Sequence, residues 1–255
     1  MRNNIFITGA TGGFGRAVAK RFAAAGYFVG LYDLNESALA QLAAELGGAE
    51  RAHYQVLDVT STEQAEAAVN SFVAATGGHL QVLFNNAGIM PVGAFGDLDI
   101  TTERRVIDIN LFGVMNVAYA ALPYLKATPG AHIINVSSAS AIHGNPELVA
   151  YSATKRAVMS FSESLDISLR GTGVSVSDIL PMYAQTSLVT NVESNLRKAP
   201  KPKITADQIA ATVWQVVRSK RFRTYVGTDT KVFARLGRLA PYSLRKWLTR
   251  RVVGW

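Results

Sequence analysis

The 255-residue chain contains no cysteine, and this absence excludes disulfide bonds, thiolate nucleophiles and cysteine-ligated metals. Its four histidines are scattered, and no group of His, Asp and Glu has the spacing of metal ligands. We therefore predict no metal site.

Long apolar runs are also missing. No stretch of about 18 uncharged apolar residues occurs, so no membrane-spanning helix is predicted. The opening residues, MRNNIFITGA, lack the long apolar segment and cleavage-like site of a signal peptide, and they predict a β-strand instead. These two absences make the cytoplasm the expected location.

The net charge of +8 is concentrated at one end of the chain. Residues 1–217 carry 15 basic and 17 acidic side chains, whereas residues 218–255 carry 11 basic and one acidic. The basic isoelectric point is therefore a property of the tail. Because no aromatic-studded basic face accompanies this charge, a nucleic-acid-binding body is not predicted.

Short β-branched runs alternate with alanine-rich amphipathic segments, and this alternation predicts an α/β fold with one doubly wound parallel sheet covered by helices on both faces. The predicted strands are residues 5–8, 28–32, 52–56, 82–85, 132–136, 174–179 and 225–226. The predicted helices are residues 13–25, 36–46, 62–76, 102–126, 150–170 and 206–219. We expect one catalytic domain over residues 1–228, with a polar lid at 186–203, followed by a basic amphipathic tail over 229–255.

A glycine-rich turn links the first predicted strand to the first predicted helix, with the sequence TGATGGFG at residues 8–15. Backbone N–H groups at a helix N-terminus can bind a pyrophosphate if no side chain blocks it. Taken alone, the turn could be an ordinary tight turn. Its position between strand and helix favours a dinucleotide site.

Polar residues also end the next three predicted strands. Asp33 ends the second, Asp58 and Val59 follow the third, and Asn85-Asn86-Ala87-Gly88 closes the fourth. Any one of them could be a simple polar strand terminus. Together they mark the carboxyl edge of the sheet, where ligands bind in such folds.

A second group of polar residues follows the fifth predicted strand. Ser138 ends this strand, and Tyr151 and Lys155 come 13 and 17 residues later. If their segment is helical, Tyr151 and Lys155 lie one turn apart on one face. Such a pair also arises by chance as a snorkelling surface pair.

The spacing Thr-Gly-x-x-x-Gly-x-Gly, followed by serine and Tyr-x-x-x-Lys, resembles the short-chain dehydrogenase/reductase family over about residues 3–228. The resemblance implies a Rossmann-type fold, a bound NAD(P) and hydride transfer with Tyr151 as general acid and base. The implied catalytic residues are Asn110, Ser138, Tyr151 and Lys155. The implied cofactor-binding residues are Gly9, Thr11, Gly13, Phe14, Gly15, Asp33, Leu34, Asp58, Val59, Asn86, Ala87, Gly88, Tyr151, Lys155, Pro181 and Thr186.

These roles have a chemical basis. A free phenol has a pKa of about 10, so its pKa must be lowered before it can act as a base near neutral pH. A neighbouring ammonium such as Lys155 favours the phenolate and so lowers this pKa. Ser138 would hydrogen-bond the substrate oxygen. The family's fourth residue supports a water-linked proton path near the lysine; Asn110 matches it, although it could instead be a structural asparagine inside a helix.

Cofactor choice depends on Asp33. A carboxylate there can accept both adenosine ribose hydroxyls and repels a 2′-phosphate, and neither Gly12 nor Leu34 supplies a positive charge. NAD is therefore expected over NADP. One departure from the family stands near the nicotinamide: Met182 replaces the usual glycine after Pro181, which brings a bulky side chain near the substrate.

The predicted activity is the interconversion of a lipophilic secondary alcohol and a ketone by an alcohol dehydrogenase or ketoreductase. The expected pocket residues are mainly apolar; they are Ile89, Met90, His143, Asn145, Tyr183 and Leu188. One alternative is a catalytically idle dinucleotide sensor, which would need no intact Ser138, Tyr151 and Lys155. Another is a membrane-peripheral regulatory protein, supported by the tail alone.

Two kinds of partner are expected besides the substrate. The long helices near residues 105–126 and 151–170 are apolar on more than one side, and together with the resemblance they predict a homo-oligomer, most simply a tetramer. In the tail, apolar spacing of three and four predicts two short basic helices broken at Pro241. Docking of this tail on the protein itself is favoured about two to one over weak contact with an anionic membrane.

Overall fold

The computed structural model describes residues 2–182, 204–227, 230–231 and 241–253. Seven strands form one sheet in the order β3-β2-β1-β4-β5-β6-β7, and every neighbouring pair is parallel. The strands are β1 (Asn4–Thr8), β2 (Phe28–Asp33), β3 (Ala52–Val56), β4 (Val82–Asn85), β5 (His132–Val136), β6 (Ser175–Pro181) and β7 (Arg223–Val226). The predicted doubly wound fold is confirmed.

Helices connect the strands and cover both faces of the sheet. They are α1 (Gly13–Ala24), α2 (Glu36–Glu45), α3 (Thr62–Ala75), α4 (Ile100–Ile107), α5 (Gly113–Ala127), α6 (Val149–Ser168), α7 (Ala206–Ser219) and α8 (Tyr242–Val253). Side chains cap the N-termini of α2, α3, α4 and α7, and these caps are Asn35, Ser61, Asp99 and Thr205. Each such oxygen satisfies a backbone N–H that the helix leaves without a partner.

Two apolar cores lie on opposite faces of the sheet, because successive strand residues point to opposite sides. Ile5 and Ile7 of β1 join the core shared with α1, α2 and α7. Phe6, between them, joins the core shared with α3, α5 and residues of α6, where its ring stacks on Tyr32 at 3.8 Å. The two cores fix the sheet rigidly, so the loops at its carboxyl edge have a firm base.

One predicted helix is wrong in detail. The single helix expected over residues 102–126 is divided into α4 and α5 by a π-helical turn at Asp108–Phe112. The extra residue in this turn lets Asn110 face inward, fully buried. The other predicted elements occur within one or two residues of their expected ends.

The continuous helical stretch of residues 100–127 is the one segment among the described residues that is long and apolar enough to cross a bilayer. Its buried side chains, however, pack into the core beside α3. Because of these contacts, we interpret this stretch as a core helix of a folded domain. The expected lid at 186–203 and most of the first tail helix lie outside the described residues.

Candidate active site

The turn between β1 and α1 is shaped by close backbone approach. Gly9 has φ +64, a conformation that favours glycine, and a Cβ at Gly15 would lie 2.2 Å from the Gly9 carbonyl oxygen. The N-terminus of α1 has no side-chain cap and no acidic residue in its first turn, unlike the four capped helices. Its free N–H groups and positive dipole end therefore fit a pyrophosphate. Gly13 and Phe14 open this helix as expected.

Asn86 ties the end of β4 to this turn. Its side-chain amide donates to the carbonyl oxygens of Thr8 and Gly9, both at 3.0 Å. In return, the Thr8 hydroxyl accepts the backbone N–H groups of Asn86 and Ala87, both at 3.0 Å. The two predicted cofactor segments are thus joined by four hydrogen bonds.

Asp33 is bound to the same turn from the other side. One carboxylate oxygen accepts the Thr11 backbone N–H at 3.0 Å and the Thr11 hydroxyl at 2.6 Å, and the other accepts the Leu34 N–H at 2.8 Å. Arg16 and Lys20 of α1 are paired with Glu45 at 2.5 and 2.9 Å. The Asp33 carboxylate is fixed by its three hydrogen bonds to Thr11 and Leu34.

A cavity of about 740 Å³ opens beside Leu34 and Asp58. The Asp58 carboxylate accepts the N–H and the hydroxyl of Thr60, at 2.9 and 2.7 Å, and so holds the turn that leads into α3. Val59 is buried against Gly113, where a Cβ would lie 2.5 Å from a Val59 methyl. The position and size of this cavity suit the adenine end of a dinucleotide.

The π-helical turn delivers Asn110 to the loop after β4. Its side-chain oxygen accepts the Ile89 N–H at 2.8 Å, and its amide donates to the Ile89 carbonyl at 2.9 Å. A Cβ on the neighbouring Gly88 would stand 3.0 Å from the Asn110 oxygen and 3.7 Å from Lys155 Nζ. Asn110, Gly88 and Lys155 are thus brought together, and Asn110 has a clear structural role in fixing this loop.

Tyr151 and Lys155 lie on successive turns of α6, as expected. Lys155 Nζ lies 5.7 Å from the centre of the Tyr151 ring and donates to the Val136 carbonyl at 2.8 Å. Burial lowers the pKa of Lys155 from its ordinary 10.5 to about 8, and the charge of Asp178 raises it. An ammonium held this deep acts strongly on a neighbouring phenol, because little water screens it.

Ser138 lies two residues beyond the carbonyl that holds Lys155. It begins a 3-10 turn, where its hydroxyl accepts the Ser140 N–H at 3.2 Å. The side chain is partly exposed, whereas the neighbouring Ser137 is buried. Of the two serines that end β5, Ser138 is the one accessible to a substrate.

The expected pocket residues divide into two groups. Met90 packs against Leu148, as Tyr151 does, and Ile89 is held by Asn110, so both border the candidate site. Asn145 is buried, and its side-chain oxygen accepts the Glu147 N–H at 2.9 Å, so it shapes the turn before α6. His143 lies partly exposed in the same loop.

The last predicted residues lie at the end of β6. Pro181 is buried as its final residue, and Met182 packs partly buried against the core shared with α1 and α7. We expected the Met182 side chain to lie near the substrate. In the structure it also contacts apolar residues of this core. Tyr183, Thr186 and Leu188 lie outside the described residues.

Several polar residues of the site were not predicted. Thr8 anchors Asn86 and Ala87, and the buried Asn135 donates to Ser162 at 2.9 Å, which ties β5 to α6. Asp178 is fully buried in β6 and pairs with Arg223. A charged residue inside a strand expected to be buried was the one available signal for Asp178.

Comparisons with known proteins agree with this geometry. A family model described as short chain dehydrogenase matches residues 3–197. Sulfoacetaldehyde reductase 2 of Chromohalobacter salexigens is 38% identical over 73% of this chain and 74% of its own. The 1-deoxy-11-beta-hydroxypentalenate dehydrogenase of Streptomyces exfoliatus is 32% identical over 89% of this chain and 83% of its own. A Burkholderia phymatum short chain dehydrogenase/reductase, solved in complex with NAD, superposes with a TM-score of 0.83 at 27% identity over 92% of both chains.

Proposed function

The chain belongs to the short chain dehydrogenase family, and we propose that it interconverts a secondary alcohol and a ketone with NAD(H), using Tyr151 as the proton-transfer residue. The observation that carries this proposal is the pair of Tyr151 and buried Lys155 on successive turns of α6, next to an uncapped, glycine-lined helix N-terminus.

The residues of the chain have distinct tasks in this reaction. NAD(H), when bound, supplies or accepts the hydride. Ser138 donates a hydrogen bond to the carbonyl oxygen of the substrate, and the Tyr151 hydroxyl gives that oxygen its proton during reduction. Lys155 stabilises the phenolate that remains. During oxidation the proton moves in the opposite direction, from the alcohol of the substrate to the Tyr151 phenolate, which acts as the base.

Asn110 supports this arrangement by fixing the loop of Gly88 and Ile89 beside Lys155. The family's water-linked proton path through this asparagine belongs to the proposal. The first turn of α1, Thr11, Asn86 and Ala87 hold the pyrophosphate and the nearby ribose, and Leu34, Asp58 and Val59 border the adenine. Pro181 and Thr186 complete the nicotinamide side.

NAD is proposed over NADP. Asp33 is fixed by Thr11 and Leu34 at the end of β2, so a 2′-phosphate would meet a carboxylate that cannot easily move away. Arg16 of α1, a cation that could otherwise attract a phosphate, is paired with Glu45. The NAD of the Burkholderia phymatum complex agrees with this choice.

The proposed substrate is lipophilic. Tyr151, Met90 and Val92 all pack against the buried Leu148, so apolar side chains gather beside the Tyr151 ring. These apolar side chains support a lipophilic substrate.

The test is a panel of ketones and alcohols, from small charged carbonyls to polycyclic ones, offered with both reduced and both oxidised cofactors. Formation or loss of reduced nicotinamide is followed by absorbance. We expect activity with apolar ketones and NADH. Cofactor binding without turnover on any carbonyl would favour the dinucleotide-sensing alternative instead.

We also propose a homo-oligomer, most simply a tetramer. The exposed fractions of Met115 and Tyr119 are 37% and 75%, and these two residues lie one turn apart on α5, where a second subunit would cover them. Sedimentation should give a multiple of the monomer mass at micromolar concentration. Tyr119→Glu with Met115→Glu should lower that mass; a monomeric wild-type protein would contradict the proposal.

The tail is proposed to make weak contact with an anionic membrane, and the cytoplasm is the proposed location. Leu244, Lys246 and Trp247 of α8 are exposed, so this helix presents both apolar and basic side chains at the surface. Full-length protein should co-sediment with phosphatidylserine vesicles at low salt and less so at high salt. Removal of residues 229–255 should abolish this, and protein that stays in the supernatant at low salt overturns the idea.

A further inference from the structure

A line of charged side chains runs from the protein surface toward Lys155. Glu163 of α6, half exposed, accepts from Arg223 of β7 at 2.8 Å. The same guanidinium donates to the carboxylate of Asp178 in β6 at 3.0 Å and to the Met159 carbonyl at 3.3 Å. Arg223 is nearly buried and Asp178 fully so. Charges of alternating sign therefore extend from the solvent-exposed Glu163 to the buried Asp178.

Such a group of charges is costly unless each member has a partner. A carboxylate without an opposite charge would become neutral in the interior, because burial disfavours its charged form. Burial raises the pKa of Asp178 from 3.8 to about 6, while the Ser137 hydroxyl, Arg223 and Lys155 lower it. Asp178 is therefore ionised near neutral pH, and Arg223 helps to keep it so.

Asp178 lies one position from the strand pair that anchors Lys155. In the β5–β6 register, Asn135 is opposite Asp178, and Val136, whose carbonyl accepts from Lys155 Nζ, is opposite Ile179. Ser137, the next residue of β5, is also buried. The register thus brings Asp178 to the position next to the residue pair whose carbonyl holds Lys155.

We propose that Asp178, oriented by Arg223, is a positioning residue that keeps the buried side chain of Lys155 protonated. This inference rests on the proposed function in one respect, namely that Lys155 takes part in proton transfer. Asp178 acts through Lys155 and does not reach the substrate. The effect is reciprocal, as charge coupling requires, because Lys155 in turn helps to keep Asp178 ionised.

The groups around Lys155 have opposing effects. Asp178, on β6, favours the ammonium. Arg223, on β7, opposes it, but its charge is balanced by Asp178 and by Glu163 on α6. Tyr151, also on α6, favours the ammonium when it is ionised. Loss of the Asp178 charge would therefore leave Arg223 and Lys155 as two cations in the interior, and Lys155 is the one that can lose its proton.

The experiment measures the titration of Lys155 directly. Protein carrying ¹³Cε-lysine is titrated by NMR without cofactor, and the Lys155 signal is the one missing in Lys155→Met. We expect a midpoint near pH 8 in the wild-type protein. Asp178→Asn should lower this midpoint by about one pH unit or more, which is about a tenfold smaller ratio of ammonium to amine at a given pH.

Two further variants test the mechanism. Asp178→Asn with Arg223→Gln removes both interior charges, so it avoids an unpaired arginine if the single variant does not fold, and its Lys155 midpoint should still fall. Glu163→Gln, at the exposed end, is the matched control and should leave the midpoint nearly unchanged. An unchanged midpoint in a folded Asp178 variant overturns the proposal.

A parallel pH profile of kcat/KM separates this proposal from the proposed function. In Asp178→Asn the profile should move together with the Lys155 midpoint, which a merely structural residue would not cause. If the midpoint moves but the wild-type protein reduces no carbonyl, the proposed function fails and the coupling stands. If wild-type activity is present but neither profile nor midpoint moves, the coupling fails alone.

Discussion

The two halves of the sheet hold an aspartate in different ways, as Asp33 and Asp178 show. Asp33 ends β2 at the rim and accepts hydrogen bonds from the Thr11 and Leu34 backbone, and no cation among the described residues is paired with it. Asp178 lies fully buried inside β6 and is paired with Arg223, near Lys155. The β1–β3 half uses backbone donors and glycine, and the β5–β7 half uses charges held in the interior.

The difference fits the tasks that we propose for the two halves. Binding a pyrophosphate needs space and N–H groups, which the chain supplies wherever side chains are small. Proton transfer near neutrality needs an ammonium whose field is not screened by water. Substitutions in the first half should therefore change cofactor binding, and those in the second half should change turnover or its pH dependence.

The largest expected effect is in the second half, in Tyr151→Phe. Removal of a general acid typically lowers turnover by about 10²–10⁴-fold. Because the ring and its packing against Leu148 and Met90 are kept, folding and NADH affinity should stay nearly unchanged. Steady-state turnover, NADH fluorescence titration and thermal unfolding together check this. A folded variant with wild-type turnover would contradict the assignment of Tyr151.

In the first half, Gly15→Ala should have the next largest effect. The new methyl would lie 2.2 Å from the Gly9 carbonyl oxygen, so α1 and the phosphate turn must separate. Such overpacking costs about 1–3 kcal/mol, and NADH affinity should fall about tenfold or more. Gly144→Ala adds a methyl where no atom lies within 4 Å and serves as the control. Equal NADH affinities in the two variants would mean that the turn does not hold the cofactor.

Asp33→Ala tests the rim carboxylate. Its removal should narrow the preference for NAD over NADP by about tenfold, since one charge near a phosphate contributes on the order of 1 kcal/mol at a partly exposed site. The ratio of kcat/KM for the two cofactors is the measurement. A wild-type preference for NADP would show that this carboxylate does not face the 2′-position.

The smallest effect concerns acid stability and the buried His132 of β5. Burial lowers the pKa of His132 from 6.5 to about 3, with Lys220 contributing in the same direction. The folded protein therefore binds fewer protons here than the unfolded chain, and stability falls as the pH drops from 6.5 toward 3. The expected slope is about 1.4 kcal/mol per pH unit.

Asp178 has the opposite effect on the pH dependence of the free energy of unfolding. Its pKa is raised to about 6, so its contribution favours the folded state at acid pH and is lost as the pH rises through 6. The two slopes nearly cancel in the wild-type protein between pH 6 and 4. Urea unfolding of His132→Asn should therefore show stability rising relative to wild type on acidification. Parallel pH curves for the two proteins would contradict burial of a neutral His132.

Most of the fold could be predicted because its signals are local. Each strand is a short β-branched run, and each polar strand end, such as Asp33 or Asn86, lies at the edge where ligands bind. The π-helical turn at Asp108–Phe112 could not be predicted, because one extra residue leaves no mark in a continuous helical pattern. Asp178 could not be assigned its partner, since Arg223 lies 45 residues from Asp178 and 60 residues from Glu163 along the chain.

The strand order also has a consequence for how the chain reaches this structure. β1 is an inner strand of the sheet, where Ile5 stands beside Val82 of β4, and no two neighbouring strands are joined by a hairpin, because all are parallel. During synthesis β1 therefore waits for β4, with one hydrogen-bonding edge open. Long-range parallel pairing of this kind folds slowly and exposes an edge to other chains. Synthesis rate and chaperones should thus affect the yield of this protein more than the stability of the finished sheet suggests.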